Sequence, residues 1–214
     1  MLEIKNIYKT FNPGTINEKV ALNGLSLKLN EGDFVTVIGG NGAGKSTMLN
    51  AVAGVWPVDE GQIIIDGTDV TKLSEYKRAA YLGRVFQDPM TGTAATMGIE
   101  ENLALAKRRG KTRLLRPGIT KAERAEYKEL LKILNLGLED RLTSKVGLLS
   151  GGQRQALTLL MATLQKPKLL LLDEHTAALD PKTAAKVLDI TDKIVNRDHL
   201  TTLMITHNMK DAIA

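Results

Sequence analysis

The sequence predicts an α/β fold: a core with a mainly parallel sheet, an N-terminal antiparallel β subdomain and an inserted α-helical subdomain. Three observations predict it. Short apolar strands alternate with helices near both ends of the chain, a glycine-rich loop joins one such strand to a helix, and the stretch 88–149 is helical in pattern. We expect a single domain over 1–214, in which 1–87 and 150–214 form the α/β core with its antiparallel part, and 88–149 the helical subdomain.

Length and composition exclude several classes of protein. The 214 residues suffice for a buried core, and 43% apolar with 25% charged residues is typical of globular chains. There is no cysteine, which excludes disulfides and cysteine metal sites. Met1–Lys5 lacks the apolar core of a signal peptide, and the longest apolar run, Leu169–Leu172, is far shorter than the roughly 20 residues that span a membrane. We expect a soluble chain whose membrane role, if any, depends on a partner.

The first elements are strands. Leu2–Lys5 and Leu25–Leu29 alternate between apolar and polar residues, as half-buried antiparallel strands do, and Asn12–Gly14 marks a turn between them. Phe34–Ile38 is apolar apart from Thr36, which favours a buried parallel strand.

The later elements alternate between strand and helix. Helices are expected over Gly44–Val55, Ala122–Asn135, about 151–165, and from Pro181 onward, a favourable first helical residue. Strands are expected over Ile63–Ile65, Lys168–Asp173 and Thr202–Thr206. This order favours a mainly parallel sheet.

A glycine-rich loop follows the strand Phe34–Ile38. Gly39, Gly44, Lys45 and Ser46 fit the pattern G-x-x-x-x-G-K-[ST], in which glycines let successive backbone N–H groups turn toward one anion. The start of the following helix adds its own unpaired N–H groups, Lys45 supplies a positive charge for the β- and γ-phosphates, and the Ser46 hydroxyl can bind Mg²⁺. This segment therefore predicts a nucleoside triphosphate site, and we call it the phosphate loop: Gly39, Gly40, Asn41, Gly42, Ala43, Gly44, Lys45, Ser46 and Thr47.

A second chemical signal is the pair of carboxylates after Leu169–Leu172. Asp173 at the strand tip can hold Mg²⁺ through its water shell, and Glu174 can polarise the attacking water as a general base. Ligands of such sheets bind beyond the carboxyl ends of the strands, so Ile38-Gly39 and Leu172-Asp173 are expected to meet there.

The stretch Leu149-Ser150-Gly151-Gly152-Gln153 resembles the LSGGQ signature of the ABC ATPases, which few other nucleoside triphosphatases carry. Ser150 is a favoured N-cap, and with the two glycines it presents a second helix start able to bind an anion. The resemblance covers nearly the whole chain and implies a P-loop NTPase (RecA-like) core.

The resemblance also implies roles for residues whose types alone would not reveal them. Gln87 matches the Q-loop, which in the family senses Mg²⁺ and the membrane partner. Asp180 matches the D-loop that crosses to the other subunit, and His207 matches the switch histidine that contacts the γ-phosphate. Phe11 lies where the family places an aromatic ring against adenine. His175 and His199 match no catalytic position and are interpreted as ordinary polar residues.

The same resemblance implies ATP and Mg²⁺ as cofactors and a second copy of the chain as a partner. The phosphate loop of one copy and Ser150, Gly151, Gly152 and Gln153 of the other would clamp one ATP. It further implies transmembrane permease subunits at the cytoplasmic face of the membrane, and possible contact with an extracytoplasmic solute-binding protein through the permease. The stretch Asp88–Glu101 is the candidate docking segment, and the leading interpretation is an importer of a small solute, for example an amino acid.

Two alternatives share the catalytic motifs. One is an exporter, or a lipoprotein-release or division complex. The other is a soluble ABC ATPase acting on nucleic acid or ribosomes, suggested by the basic segment 107–128, which holds nine basic and two acidic residues in a chain of net charge +5. A nucleic acid partner is disfavoured, because Tyr127 is the only aromatic residue in that segment and the chain has neither a second cassette nor a coiled coil.

Overall fold

The computed structural model describes residues 1–111 and 118–207. Its strands are β1 (Leu2–Phe11), β2 (Lys19–Leu29), β3 (Phe34–Ile38), β4 (Glu60–Ile65), β5 (Thr68–Asp69), β6 (Leu82–Val85), β7 (Leu169–Asp173) and β8 (Thr202–Thr206). Its helices are α1 (Lys45–Ala53), α2 (Glu75–Arg78), α3 (Ile99–Lys107), α4 (Lys121–Lys132), α5 (Gly151–Thr163) and α6 (Pro181–Asp198), with a short 3₁₀ turn at Val146–Leu148.

The chain divides into two compact units. The first comprises Met1–Gly83, Pro167–Asp173 and His199–Ala214, described as far as His207, and the second comprises Arg84–Lys166 and Glu174–Asp198. The helical subdomain expected over 88–149 stays a prediction.

The first unit contains an antiparallel sheet of order β2-β1-β4-β5. Leu2 and Ile4 are buried and Glu3 between them is not, as the alternation predicts. A bulge near Asn6, whose φ is 45°, then shifts the alternation so that Ile7 is the next buried residue. The predicted antiparallel pairing is therefore confirmed, but both strands are longer than their alternating segments.

The other sheet has the order β3-β8-β7-β6, with β8 parallel to both β3 and β7. The four leucines of β7 and all five residues of β8 are buried, which explains why these strands are almost continuously apolar. Leu171 and Leu203 pack in one core cluster with Ile4, Ile63 and Leu49 of α1. The α/β class with its parallel sheet is confirmed.

The second unit contains helices α3, α4, α5 and α6, and α5 contacts each of the other three. The fully buried residues of these helices include Leu103, Tyr127, Leu131, Leu157 and Ile194. Within residues 1–111 and 118–207, no helix has both the length and the apolar composition needed to cross a membrane.

Candidate nucleotide-binding site

Three predicted site residues lie at one edge of the parallel sheet. Ile38 pairs with Thr206, and Asp173 pairs with Ile205, so β3, β8 and β7 end in nearly the same register. Gly39 follows β3, His207 follows β8, and Asp173 is the last residue of β7. The expected common edge is present, but β8 separates β3 from β7, so the ends of these two strands are about 10 Å apart at a strand spacing of about 4.8 Å. The residue that follows the intervening strand is His207.

The phosphate loop needs glycine for steric reasons that the structure makes explicit. Gly42 and Gly44 have φ values of 82° and 86°, in the left-handed region that disfavours other residues. A Cβ atom on Gly44 would also lie 2.5 Å from the carbonyl oxygen of Ala21, a contact that backbone atoms cannot relieve. The two glycines therefore give this loop a shape that a residue with a side chain would strain.

Lys45 begins α1 and is 8% exposed. Its ammonium group donates hydrogen bonds to the carbonyl oxygens of Gly39 at 2.7 Å and Gly40 at 3.1 Å. The first turn of α1 contains no acidic residue, so no side chain of that turn neutralises the positive end of the helix. An ammonium group and a helix start that meet at one loop are chemically suited to an anion such as a phosphate.

Ser46 and Thr47 occupy the first turn of α1, where backbone N–H groups have no partner within the helix. Ser46 is exposed, as are Gly40, Asn41, Gly42 and Ala43 of the loop. All nine residues predicted for the phosphate loop therefore lie in one continuous segment of the first unit.

The acidic pair lies where the chain passes from the first unit to the second. Asp173 and Glu174 are both half-buried, and Glu174 has a φ of 43°. A left-handed glutamate is uncommon, and such strain concentrates at functional positions. The carbonyl oxygen of Glu174 accepts a hydrogen bond from the N–H of Ala177 at 2.9 Å, which closes a turn directly after the pair.

His175, next to Glu174, is 2% exposed, so it is not the ordinary polar residue expected from the sequence. Its Nε2 lies 3.2 Å from the hydroxyl of Thr191 on α6, and that hydroxyl donates to the carbonyl oxygen of Val187. Nε2 therefore carries the proton, and this N–H donates a hydrogen bond to the hydroxyl of Thr191. Burial lowers the pKa of His175 from 6.5 to about 4.

The signature residues begin α5 in the second unit. The Ser150 hydroxyl accepts a hydrogen bond from the N–H of Gln153 at 3.3 Å, and the Gln153 side chain accepts one from the N–H of Ser150 at 3.2 Å. The cap by Ser150 was expected from the sequence, and the reciprocal bond to Gln153 completes a capping box. A Cβ on Gly152 would lie only 2.1 Å from Cγ2 of Thr183, and one on Gly151 would lie 3.3 Å from Leu179. Gly152 is therefore required by helix packing as well as by any contact with an anion.

Gln87 and Asp180 also lie in the second unit. Gln87 is exposed just after β6. Asp180 caps α6 by accepting a hydrogen bond from the N–H of Thr183 at 3.1 Å. Hydrogen bonds from the side chain and the backbone of Thr183 lower the pKa of Asp180, which favours its charged form.

Phe11 is half-buried at the end of β1 and makes an edge-to-face contact with Trp56, with ring centroids 5.0 Å apart and an angle of 81° between the rings. Trp56 belongs to none of the motifs that predict the site. The one indication that the sequence offers for this residue is that it is the only tryptophan of the chain.

The positive charge of the described part of the basic segment 107–128 is partly compensated by acidic residues of its own unit. Three cation–carboxylate pairs are formed: Lys107–Glu126, Arg108–Glu123 and Arg124–Glu100. Arg113 and Arg116 lie outside the described residues. The pairs reduce the positive charge that this surface could offer to a nucleic acid.

Comparison with known proteins relates this arrangement to a family. A family model described as ABC transporter matches residues 22–177. A tyrosine transport ATP-binding protein of Clostridioides difficile is 48% identical over 219 residues, covering 100% of this chain and 84% of that protein. The methionine import ATP-binding protein MetN of Rhizobium etli is 39% identical over 194 residues, 89% of this chain and 51% of that protein. The chain thus spans about half the length of this second relative.

A solved structure extends the similarity to the fold. The dimeric ATP-binding cassette MJ0796, in a post-hydrolysis state with ADP and Pi, has a TM-score of 0.82 at 30% identity, over 99% of this chain and 90% of that one. The P-loop NTPase fold expected from the motifs is thereby confirmed. Since the family model matches well over half of the sequence, the chain belongs to the ABC transporter family, as one of its ATP-binding proteins.

Proposed function

We propose that this chain hydrolyses ATP to power a membrane importer, and that it does so as a pair of identical subunits with two ATP molecules between them. The observation that carries the proposal is the sheet edge at which the phosphate loop, His207 and Asp173 lie in register. ATPase activity itself belongs to the family of which the chain is a member.

Individual residues take the following roles in this proposal. Lys45 and the N–H groups of the phosphate loop bind the β- and γ-phosphates of ATP, because they combine a positive charge with the backbone donors of a glycine-rich loop and a helix start. Glu174 acts as the general base toward the attacking water, and His207 contacts the γ-phosphate. The ring of Phe11 stacks on adenine beside Trp56.

The proposed ligands of a magnesium ion are three residues whose side chains suit it chemically. Ser46, Gln87 and Asp173 offer a hydroxyl, an amide oxygen and a carboxylate, and Mg²⁺ binds through few protein oxygens together with phosphates and water. Bound Mg²⁺ neutralises negative charge on the phosphates.

The second copy supplies the other half of each nucleotide site. Ser150, Gly151, Gly152 and Gln153 of one copy face the ATP bound to the phosphate loop of the other, and Asp180 lies near the crossing point. The dimeric state of the related cassette supports this arrangement.

The proposed partners are transmembrane permease subunits, with this chain at the cytoplasmic face of the membrane. The proposed cargo is an amino acid, because the two relatives compared above are named for tyrosine and methionine. The segment Asp88–Glu101 is the proposed docking surface for the permease.

Uptake into proteoliposomes tests this function. The chain is purified in complex with its permease subunits, reconstituted with ATP inside or outside the vesicles, and supplied with labelled tyrosine, methionine or putrescine. We expect ATP-dependent uptake of an amino acid by the native chain and none by a Glu174→Gln variant. ATP hydrolysis that drives export of a labelled compound instead would contradict the assignment as an importer.

A further inference from the structure

The side chain of Gln155 connects the helix that begins at the signature to the segment that carries Gln87. Gln155 lies in the second turn of α5 and is 0% exposed. Its Nε2 donates a hydrogen bond of 3.1 Å to the carbonyl oxygen of Phe86. Phe86 directly precedes Gln87, so this contact fixes the backbone at the entrance to the proposed Mg²⁺-binding residue.

Phe86 is held on a second side as well. The guanidinium carbon of Arg84 lies 4.5 Å from the centroid of the Phe86 ring, within the range of a cation–π contact. With both its ring and its carbonyl oxygen engaged, Phe86 gives the chain a defined direction as it enters Gln87. The side chain of Gln87 is nevertheless exposed and able to reach a ligand.

The segment that follows continues along α5. Arg154 of α5 contacts the sulfur of Met90. Gly92 packs so closely against α5 that a Cβ atom on it would lie 2.6 Å from Cγ2 of Thr158. Arg154 and Thr158 are four residues apart and so neighbours on the helix surface. The segment 86–92 therefore follows α5 at successive points, and Gln155 supplies the contact nearest to Gln87.

The oxygen of the Gln155 side-chain amide indicates that this residue does not serve stability alone. Its Oε1 is buried and accepts no hydrogen bond from any residue in the ranges 1–111 and 118–207. A buried amide oxygen without a donor is unfavourable for folding. Methionine would fill a similar volume without that penalty, and only the amide supplies the donor to Phe86.

We propose that Gln155 is a positioning residue that holds Gln87 in a fixed relation to the signature residues Ser150–Gly152 on the same helix. The inference rests on the proposed function, because Gln87 has a catalytic role only if the chain hydrolyses ATP with Mg²⁺. Of the contacts between the segment 86–92 and α5, the one made by Gln155 is then the one that sets the position of Gln87.

A double-mutant cycle tests whether Gln155 acts through Gln87. The ATPase rates of the native chain, Gln155→Met, Gln87→Ala and the double variant are measured over a range of ATP and Mg²⁺ concentrations. We expect Gln155→Met to lower kcat at least about fivefold with KM for ATP within about twofold, since small misplacements of a catalytic group are costly. In the Gln87→Ala background the same substitution should change kcat less than about twofold. An unchanged kcat, or an equal loss in both backgrounds, overturns the inference.

Gln165 provides a matched control. Its amide also donates to backbone carbonyl oxygens of the same unit, those of Ala106, Lys107 and Arg109. Gln165 lies beyond the C-terminal end of α5, whereas Gln155 lies near its start. Gln165→Met removes a comparable structural contact and should leave kcat within about twofold of the native value. A loss equal to that of Gln155→Met would reduce Gln155 to a structural role and overturn the inference.

A measurement without ATP separates this inference from the proposed function. The chain has no cysteine, so Asp88→Cys accepts a single spin label beside Gln87. We expect Gln155→Met to increase the mobility of the label and Gln165→Met to leave it unchanged; equal mobility in both variants overturns the inference. A native chain that lacks ATPase activity would overturn the proposed function alone. Should Gln155→Met not fold, Gln155→Asn, whose shorter amide falls short of the Phe86 oxygen, takes its place in both tests.

Discussion

The ammonium group of Lys45 donates hydrogen bonds to two carbonyl oxygens of its own loop. These bonds hold the positive charge beside the loop, at the place where the proposed phosphate would bind. Such preorganised charge acts most strongly on the transition state of phosphoryl transfer.

Lys45→Ala is therefore expected to lower kcat/KM for ATP by at least about 100-fold and to weaken ATP binding. Phosphate release measures the first effect. The fluorescence of Trp56, the only tryptophan, measures the second, because its ring packs on Phe11. Lys72→Ala, which removes an exposed lysine of the same unit, is the control. Undiminished turnover in Lys45→Ala would refute the assignment of the phosphate loop.

Glu174→Gln removes the proposed general base and keeps the size of the side chain. We expect the hydrolysis rate to fall by about 10²–10⁴-fold while ATP still binds and holds two copies together. Size-exclusion chromatography with and without ATP detects the dimer, and Glu31→Gln, at an exposed position, serves as the control. Normal hydrolysis by Glu174→Gln would assign the base to another residue.

His175 gives the free energy of unfolding a specific dependence on pH. Burial lowers its pKa from 6.5 to about 4, so between these values the unfolded chain binds a proton that the folded chain does not. Stability from this residue is complete above pH 6.5 and decreases as the pH falls toward 4, by about 3 kcal/mol in total.

This pH dependence is measured by urea denaturation at several pH values, without Mg²⁺ or nucleotide. We expect the difference in unfolding free energy between the native chain and His175→Asn to become smaller as the pH falls from 6.5 to 4. The exposed His199, replaced by asparagine, is the control. A difference that does not change with pH would show that His175 is not buried in its neutral form.

At the residue scale, the sequence predicted the site residues that belong to motifs of fixed spacing. It did not predict which polar side chains are buried. The phosphate loop and the Ser150 cap are local patterns, so their positions follow from neighbouring residues. The burial of His175 and Gln155 depends on α6 and on Phe86, which are distant in sequence. No local pattern carries that information.

At the scale of elements, the C-terminal end of α1, the helix that follows the phosphate loop, is fixed by a buried arginine. Arg78 of α2 is 2% exposed and donates hydrogen bonds to the carbonyl oxygens of Ala51 and Val52 at 2.7 and 3.0 Å. It also donates to the carbonyl oxygens of Leu73 and Thr71. One guanidinium group therefore caps the last turn of α1 and joins it to the segment that leads into α2.

Arg78→Met should reduce the unfolding free energy by about 3 kcal/mol, because it leaves buried carbonyl oxygens without a donor. Urea denaturation measures this loss, and Lys77→Met, at an exposed position of the same helix, should change it by less than about 0.5 kcal/mol. Equal stability of the two variants would contradict the capping role of Arg78.

The start of α5 lends itself to a rescue experiment. Gly152→Ala places a methyl group against Cγ2 of Thr183, so we expect a loss of about 2 kcal/mol in unfolding free energy. Thr183→Ser removes that carbon and keeps the hydroxyl, so the double variant should recover most of the stability. If ATPase activity stays low after stability returns, Gly152 has a role in the reaction beyond packing. A Gly152→Ala variant as stable as the native chain would contradict the close approach of the two helices.

The predicted elements were most accurate where the pattern was strongest. The apolar strands β3, β7 and β8 begin and end within one residue of expectation. In β7 and β8 this accuracy follows from burial, because a buried strand needs an apolar residue at almost every position. The predicted burial of β3 is wrong, since none of its residues is buried and Phe34 and Ile38 are 45% and 43% exposed. Strands β1 and β2 extend well beyond their alternating segments, since the bulge at Asn6 breaks the alternation but not the pairing.

At the scale of the whole molecule, the fold class followed from the sequence and the strand order did not. Alternating strands and helices are compatible with several orders of strands in a parallel sheet. The placement of β8 between β3 and β7 is a long-range fact. The order matters for the candidate site because it places His207 between the phosphate loop and Asp173.

The central position of β8 also has a consequence for biosynthesis. A ribosome releases β3 and β7 before β8, and in the finished sheet each of these strands pairs with β8 and not with the other. Until Thr202–Thr206 leaves the exit tunnel, the nascent chain exposes two strand edges that are liable to aggregate. The candidate nucleotide-binding edge is thus completed only once β8 has been synthesised, and the nascent chain cannot bind ATP in the native way before then.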